Sequence, residues 1–102
     1  MKAVYTVGEI REILHSIFDA SPVIRALLFG SYAKGTPSLL SDIDILIDCN
    51  GEIRGIDFFG ILDEMTEALG VPVDLIEASQ VIAGSRVDSE ISESGVIIYE
   101  RS

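Results

Sequence analysis

Residues 42–48 read Asp-Ile-Asp-Ile-Leu-Ile-Asp, and the strict alternation with which they begin suits a strand and little else. Side chains on a strand point to its two faces in turn. Ile43, Ile45 and Ile47 are therefore expected on a buried face, and Asp42 and Asp44 together on the opposite one. Such a strand needs neighbours in a sheet and an apolar layer against its isoleucines.

The rest of the chain supplies both. Thr6 and Glu9 have the spacing of a capping box, and Ile10, Ile13, Leu14, Ile17 and Phe18 recur at helical spacing, which predicts a helix over 7–19. Ser21-Pro22 stops it. Residues 23–29 read as a buried strand ended by Gly30, and Asn50-Gly51 is a turn signal. Phe58, Leu62, Met65 and Leu69 form a second helical stripe, closed by Gly70 and Pro72. Residues 72–77 suit a third strand. The stretch 78–94 is ambiguous between a loop and a short helix near 85–94, and Gly95 precedes a last apolar run, Val96-Ile97-Ile98-Tyr99. The order α, β, short α, β, α, β and a tail predicts an α/β (α+β) class, a single mixed sheet with helices packed on it.

The 102 residues suffice for one domain with one core, spanning 1–102, and not for two. With 48% hydrophobic residues the chain is globular rather than disordered. No apolar run approaches the roughly 18 residues that span a bilayer, so no membrane is expected. Met1-Lys2-Ala3-Val4-Tyr5 lacks the continuous apolar stretch of a signal peptide. The one cysteine, Cys49, cannot form an internal disulfide; it fits a cytoplasmic setting and reads as apolar filler at a strand end.

Charge excludes more. Seven basic residues face seventeen acidic ones, for a net charge of −10, and the seven are scattered singly. Nucleic acid is held largely by Lys and Arg on phosphates, so direct nucleic-acid binding by this chain alone is disfavoured. The mean hydropathy is nevertheless positive, +0.41. A domain this small leaves much surface exposed, and uncovered apolar patches mark a partner or an oligomer interface.

The segment that carries chemistry runs from Gly30-Ser31 to Asp42-Ile43-Asp44, a G-S-x10-D-x-D pattern. Two carboxylates on one strand face repel when both are ionised. A divalent cation reverses that cost, and oxygen-only ligands favour magnesium or manganese over zinc. Gly30 follows a strand, and residues 31–35 can form one helical turn whose free N–H groups face an anion. The missing side chain at Gly30 lets a phosphate approach the backbone; Ser31 adds a hydroxyl and Lys34 a charge. An anion cradle facing a metal-binding carboxylate pair is what metal-assisted phosphoryl or nucleotidyl transfer requires. Either element alone reads as ordinary surface. Jointly, at this spacing, the pattern arises by accident in roughly one such chain per thousand.

On these residues the chain resembles the nucleotidyltransferase superfamily typified by DNA polymerase β. More narrowly it is similar to the minimal nucleotidyltransferases found beside helical HEPN-type toxins in prokaryotes. The resemblance runs from the first helix to the Val-Ile-Ile-Tyr-Glu ending and implies the nucleotidyltransferase fold. It implies that Asp42 and Asp44 bind two magnesium ions and that Asp74, in Val73-Asp74-Leu75, completes the metal site and acts as base. Gly30 and Ser31 would grip the β- and γ-phosphates of a nucleoside triphosphate, ATP in this branch. Lys34 stands where Arg is common, keeping the charge without the bidentate geometry. The implied function is an antitoxin that adenylylates a tyrosine of a cognate HEPN-type toxin. Transfer to a small-molecule acceptor and a non-catalytic binding module are the alternatives.

Other residues read more plainly. His15 lies opposite the apolar stripe of the first helix, solvated or at an interface. Tyr32 either stacks on a base or packs beside the turn. Asp48 shares the face of Asp42 and Asp44 as a strand-end charge.

Overall fold

In the computed structural model, residues 4–37, 42–51, 53 and 55–101 are described. Helix α1 spans Val7–Asp19, as its capping box and stripe predict. The Glu9 N–H donates to Thr6 Oγ1 at 3.1 Å, and the Thr6 N–H donates to Glu9 Oε1 at 2.8 Å. Two of the orphan donors at the helix start are thereby satisfied. Ile10, Leu14 and Phe18 form its buried face.

Strand β1 is Arg25–Phe29, two residues shorter than its apolar run. The Val23 N–H donates instead to Ser21 Oγ, at 3.2 Å, in the turn that leaves α1. A five-residue helix, α2, follows without a break over Gly30–Lys34, and Gly35 ends it in the left-handed region. Strand β2 is Ile43–Asp48. Helix α3 spans Gly55–Leu69 and buries Ile61, Met65 and Leu69, while Phe58 and Leu62 are half-buried. Strand β3 is Val73–Glu77; Pro72 has no N–H, and its carbonyl accepts from the Ile43 N–H at 3.2 Å.

The ambiguous stretch resolves into a 3-10 turn at Ala78–Gln80 and helix α4 over Arg86–Ser94, close to the short helix expected there. The tail differs from expectation. Residues Val96–Glu100 form strand β4, which pairs antiparallel with β1. A register shift between Ala26 and Leu27 marks a bulge in that pairing.

The four strands lie in the order β3-β2-β1-β4, with β2 and β3 parallel and the other two pairs antiparallel. The sheet is mixed, as expected. Ala26, Leu28, Ile43, Ile45, Ile47, Leu75 and Ile98 join the buried residues of α1 and α3 in one core. Arg101 ties the end of β4 to the end of α1: its guanidinium donates to the carbonyls of Phe18, Asp19 and Ser21 at 3.0, 3.0 and 3.1 Å. The Phe18 carbonyl also accepts from the Ser21 N–H at 3.1 Å and from Ser21 Oγ at 2.7 Å, so the end of α1 is held from both sides. Helix α4 lies elsewhere, against β1 and α2, and buries none of its residues fully. Among the described residues no helix is long and apolar enough to cross a membrane.

Candidate active site

Register decides which carboxylates meet. In the parallel β2–β3 pair Asp44 stands opposite Asp74, and in the antiparallel β1–β2 pair Asp44 stands opposite Phe29. Since Gly30 follows Phe29, the turn into α2 begins beside Asp44. Three neighbouring strands thus deliver a glycine turn and two aspartates to one place, on the face away from Ile43 and Ile45.

Gly30 is held there by two requirements. Its φ is +73°, a conformation that side chains disfavour, and a Cβ would overlap Asp44 Oδ2 and come within 3.1 Å of Asp44 Cγ. Among the described residues no side chain caps the start of α2, whose first residues, Gly30 and Ser31, open on a cleft of about 530 Å³. Lys34, Thr36, Asp44 and Asp74 line it too, and Arg86, Val87 and Glu90 of α4, which packs against α2 and β1, complete the lining.

The electrostatics follow from the crowding. Asp44 is raised from 3.8 to about 6, first by burial, then by the charges of Asp74, Asp42 and Glu90, and by a hydrogen bond with Asp74. A carboxylate pair that cannot comfortably hold two negative charges, and that offers only oxygen, is chemically suited to a divalent cation. Asp42 is exposed and is not among the residues lining the cleft, although its charge reaches Asp44. Among the described residues, no group of three or more His, Cys, Asp and Glu side chains is arranged to hold a metal ion. The structure therefore brings Gly30, Ser31, Lys34, Asp44 and Asp74 together, with Asp42 at the margin.

Several other readings are resolved. Tyr32 is buried in the core cluster, so it packs beside the turn rather than facing a base. Asp48 pairs with Arg25 at 3.6 Å and accepts from the Asn50 N–H at 3.0 Å, which makes it a strand-end and turn residue. His15 is exposed on α1, edge-on to Tyr99 with ring centroids 5.7 Å apart. Cys49 is buried in the core, and burial with the charges of Glu77 and Asp48 pushes its thiol up to about 11. It is filler, as read from the sequence.

Arg86 and Glu90 escaped the sequence reading. The only local signal was an Arg and a Glu four residues apart on a short helix, a spacing common on solvated faces.

Comparison with known proteins agrees with this geometry. The profile of the family described as "Polymerase beta, Nucleotidyltransferase" matches residues 10–102. A protein of Methanocaldococcus jannaschii named "putative protein adenylyltransferase" is 33% identical over 75 residues, covering 70% of this chain and 76% of that relative. A solved structure described as a toxin-antitoxin with AMP-PNP superposes with a TM-score of 0.75 at 20% identity, covering 90% of this chain and 74% of the other. Another, of a tri-AMPylated Shewanella oneidensis HEPN toxin in complex with its MNT antitoxin, gives a TM-score of 0.63 at 19% identity, covering 92% and 69%. By the extent of these matches, with a fold and a glycine–aspartate cleft to accompany them, the chain belongs to the polymerase β-type nucleotidyltransferase family and is a nucleotidyltransferase.

Proposed function

We propose that this chain, acting as one minimal domain over residues 1–102, is a magnesium-dependent protein adenylyltransferase. It moves AMP from ATP to a tyrosine hydroxyl of a helical HEPN-type toxin and so serves as that toxin's antitoxin. The observation that carries the chemistry is the placement of Asp44 opposite Asp74 and against Gly30. The AMP-PNP of one structural neighbour supports ATP as donor, and the AMPylated HEPN toxin in another supports the acceptor. The name of the archaeal relative points the same way. The net charge of −10 suits a protein acceptor better than a polynucleotide. A cytoplasmic setting fits the lone, buried, unpaired Cys49.

The residues divide the work as follows. Backbone N–H groups at Gly30 and Ser31, with the Ser31 hydroxyl, hold the β- and γ-phosphates, and Lys34 adds a positive charge beside them. Asp44 and Asp74 would hold the magnesium, and the exposed side chain of Asp42 would have to turn inward to join them. Bound there, the ion supplies a lower pKa for the attacking hydroxyl and charge stabilisation for the leaving pyrophosphate. The tyrosine oxygen attacks the α-phosphorus, the bond to the bridging oxygen breaks, and pyrophosphate departs. Asp74 takes the hydroxyl proton. The raised pKa of Asp44 fits a site whose carboxylates await a cation.

The deciding experiment incubates the chain with α-labelled ATP, magnesium and the product of the neighbouring gene. Label on a tyrosine of that protein is the expected result. A stable complex without label selects a non-catalytic binding module, and label on an added small molecule alone selects a different acceptor.

A further inference from the structure

Two charged side chains in the cleft, Arg86 and Glu90, belong to none of the motifs read from the sequence; they lie one turn apart on α4. Among the described residues lining the cleft, the cations are Lys34 on α2 and Arg86 on α4, and these two helices pack against each other. Opposing them are the carboxylates of Asp44, Asp74 and Glu90. Magnesium bound by the aspartates would offset their charge, and the outer oxygens of a triphosphate would still accept hydrogen bonds from cationic side chains that line the cleft.

Arg86 is free to donate them. Its Nε stands 3.4 Å from Glu90 Oε1, with the Arg86 side chain 91% exposed and that of Glu90 22% exposed. A long, single-point, solvent-washed pair of this kind holds its members weakly. A guanidinium offers five donors in a planar fork that matches two phosphate oxygens at once. A two-point contact with phosphate uses more of the guanidinium's donors than its one-atom contact with Glu90.

We propose that Arg86 is a substrate-binding residue whose guanidinium leaves Glu90 and grips the phosphates of the bound nucleoside triphosphate, Glu90 being its resting partner. The inference rests on the nucleotidyl-transfer reading above and adds a second phosphate-binding wall, on α4, to the one on α2. No bond is made or broken; an ion pair is exchanged.

The test is calorimetric titration of the chain with Mg-ATP, which needs no acceptor, alongside steady-state transfer, for the wild type, R86A, R86K and E90Q. Arg86 is exposed, so R86A should fold, and circular dichroism checks it. R86A is expected to raise the Kd and KM for ATP tenfold or more while kcat changes less than threefold. R86K should recover part of the affinity, and E90Q should bind ATP as tightly as the wild type or several-fold more tightly. R86A binding within twofold of the wild type would overturn the inference while leaving the transferase reading intact. So would E90Q weakening binding as much as R86A, because the pair would then act only as a prop for α4. A wild-type chain that takes up no Mg-ATP would instead overturn the transferase reading, and the inference with it.

Discussion

Gly30 stands so close to Asp44 that any Cβ at position 30 would collide with the Asp44 carboxylate. The phosphate-facing turn and the Asp44 carboxylate are thus one tightly fitted unit. G30A meets two penalties, a left-handed backbone that costs a side chain about 1–2 kcal/mol and the displacement of the Asp44 carboxyl. We expect a protein that still folds with a stability lowered by about that amount. Its transfer activity should fall by roughly 100-fold, the usual effect of a small misplacement of a catalytic group. Denaturant unfolding and rate measurements on the same preparation check both.

The elevated pKa of Asp44 makes a signed prediction for stability. A carboxyl whose folded-state pKa is raised, from 3.8 to about 6, binds its proton more tightly when folded. The associated stability is present below about pH 4 and is lost as pH climbs to about 6 and beyond. Without metal, Asp44→Asn should therefore melt above the wild type at pH 7, and the gap should close as the pH is lowered to 4. Thermal melts in chelator across that range are the measurement. A gap that widens on acidification would contradict the assigned cause, which is burial first and the charge of Asp74 second.

Nucleotide and magnesium should reverse that order. At a hundredfold excess over Kd a ligand stabilises the folded state by about 2.7 kcal/mol. For a domain of this size that corresponds to a rise in midpoint on the order of 10–20 °C. The wild type should display the shift with Mg-ATP and lose it in chelator. Asp42→Asn with Asp44→Asn, and separately Asp44→Asn with Asp74→Asn, should abolish the ATP-dependent part. If Asp42→Asn alone retained the shift, Asp42 would be no ligand, in keeping with its exposed position outside the cleft lining.

Arg101 yields a prediction remote from the chemistry. Its guanidinium serves three carbonyls at the end of α1, and its Nε donates to Tyr99 Oη at 3.1 Å. Arg101→Ala should lower stability by about 1–2 kcal/mol. Amide exchange should rise at the last turn of α1 and along β4, while Mg-ATP affinity stays unchanged.

Legibility from the sequence followed the range of the interactions. The Thr6–Glu9 box and the alternation at Asp42-Ile43-Asp44 are local signals, and α1 and β2 lie where those signals put them. The Gly30-Ser31 turn was legible for the same reason, since a glycine between a strand and a helical turn has few other uses. Val96–Tyr99 could be seen as apolar but not assigned a partner, because its pairing with β1 joins residues some 70 positions apart. Arg86 and Glu90 were invisible as cleft residues for a related reason. Only the packing of α4 on β1 and α2 brings them to the cleft that Asp44 lines, and no pattern within 86–94 encodes that placement. Asp74 lay between these extremes: its strand was readable, whereas its alignment with Asp44 is a property of the sheet.

That α4 buries none of its residues, while β1, β2 and β3 are rooted in the core, divides the cleft into a stiff half and a yielding half. The glycine turn and the paired acids cannot shift without prying apart the centre of the molecule. Helix α4 is fastened lightly and can adjust by a rotamer or a small tilt at little cost. Accommodation of differently shaped donors or acceptors would accordingly fall to α4, leaving the alignment of the reacting atoms undisturbed.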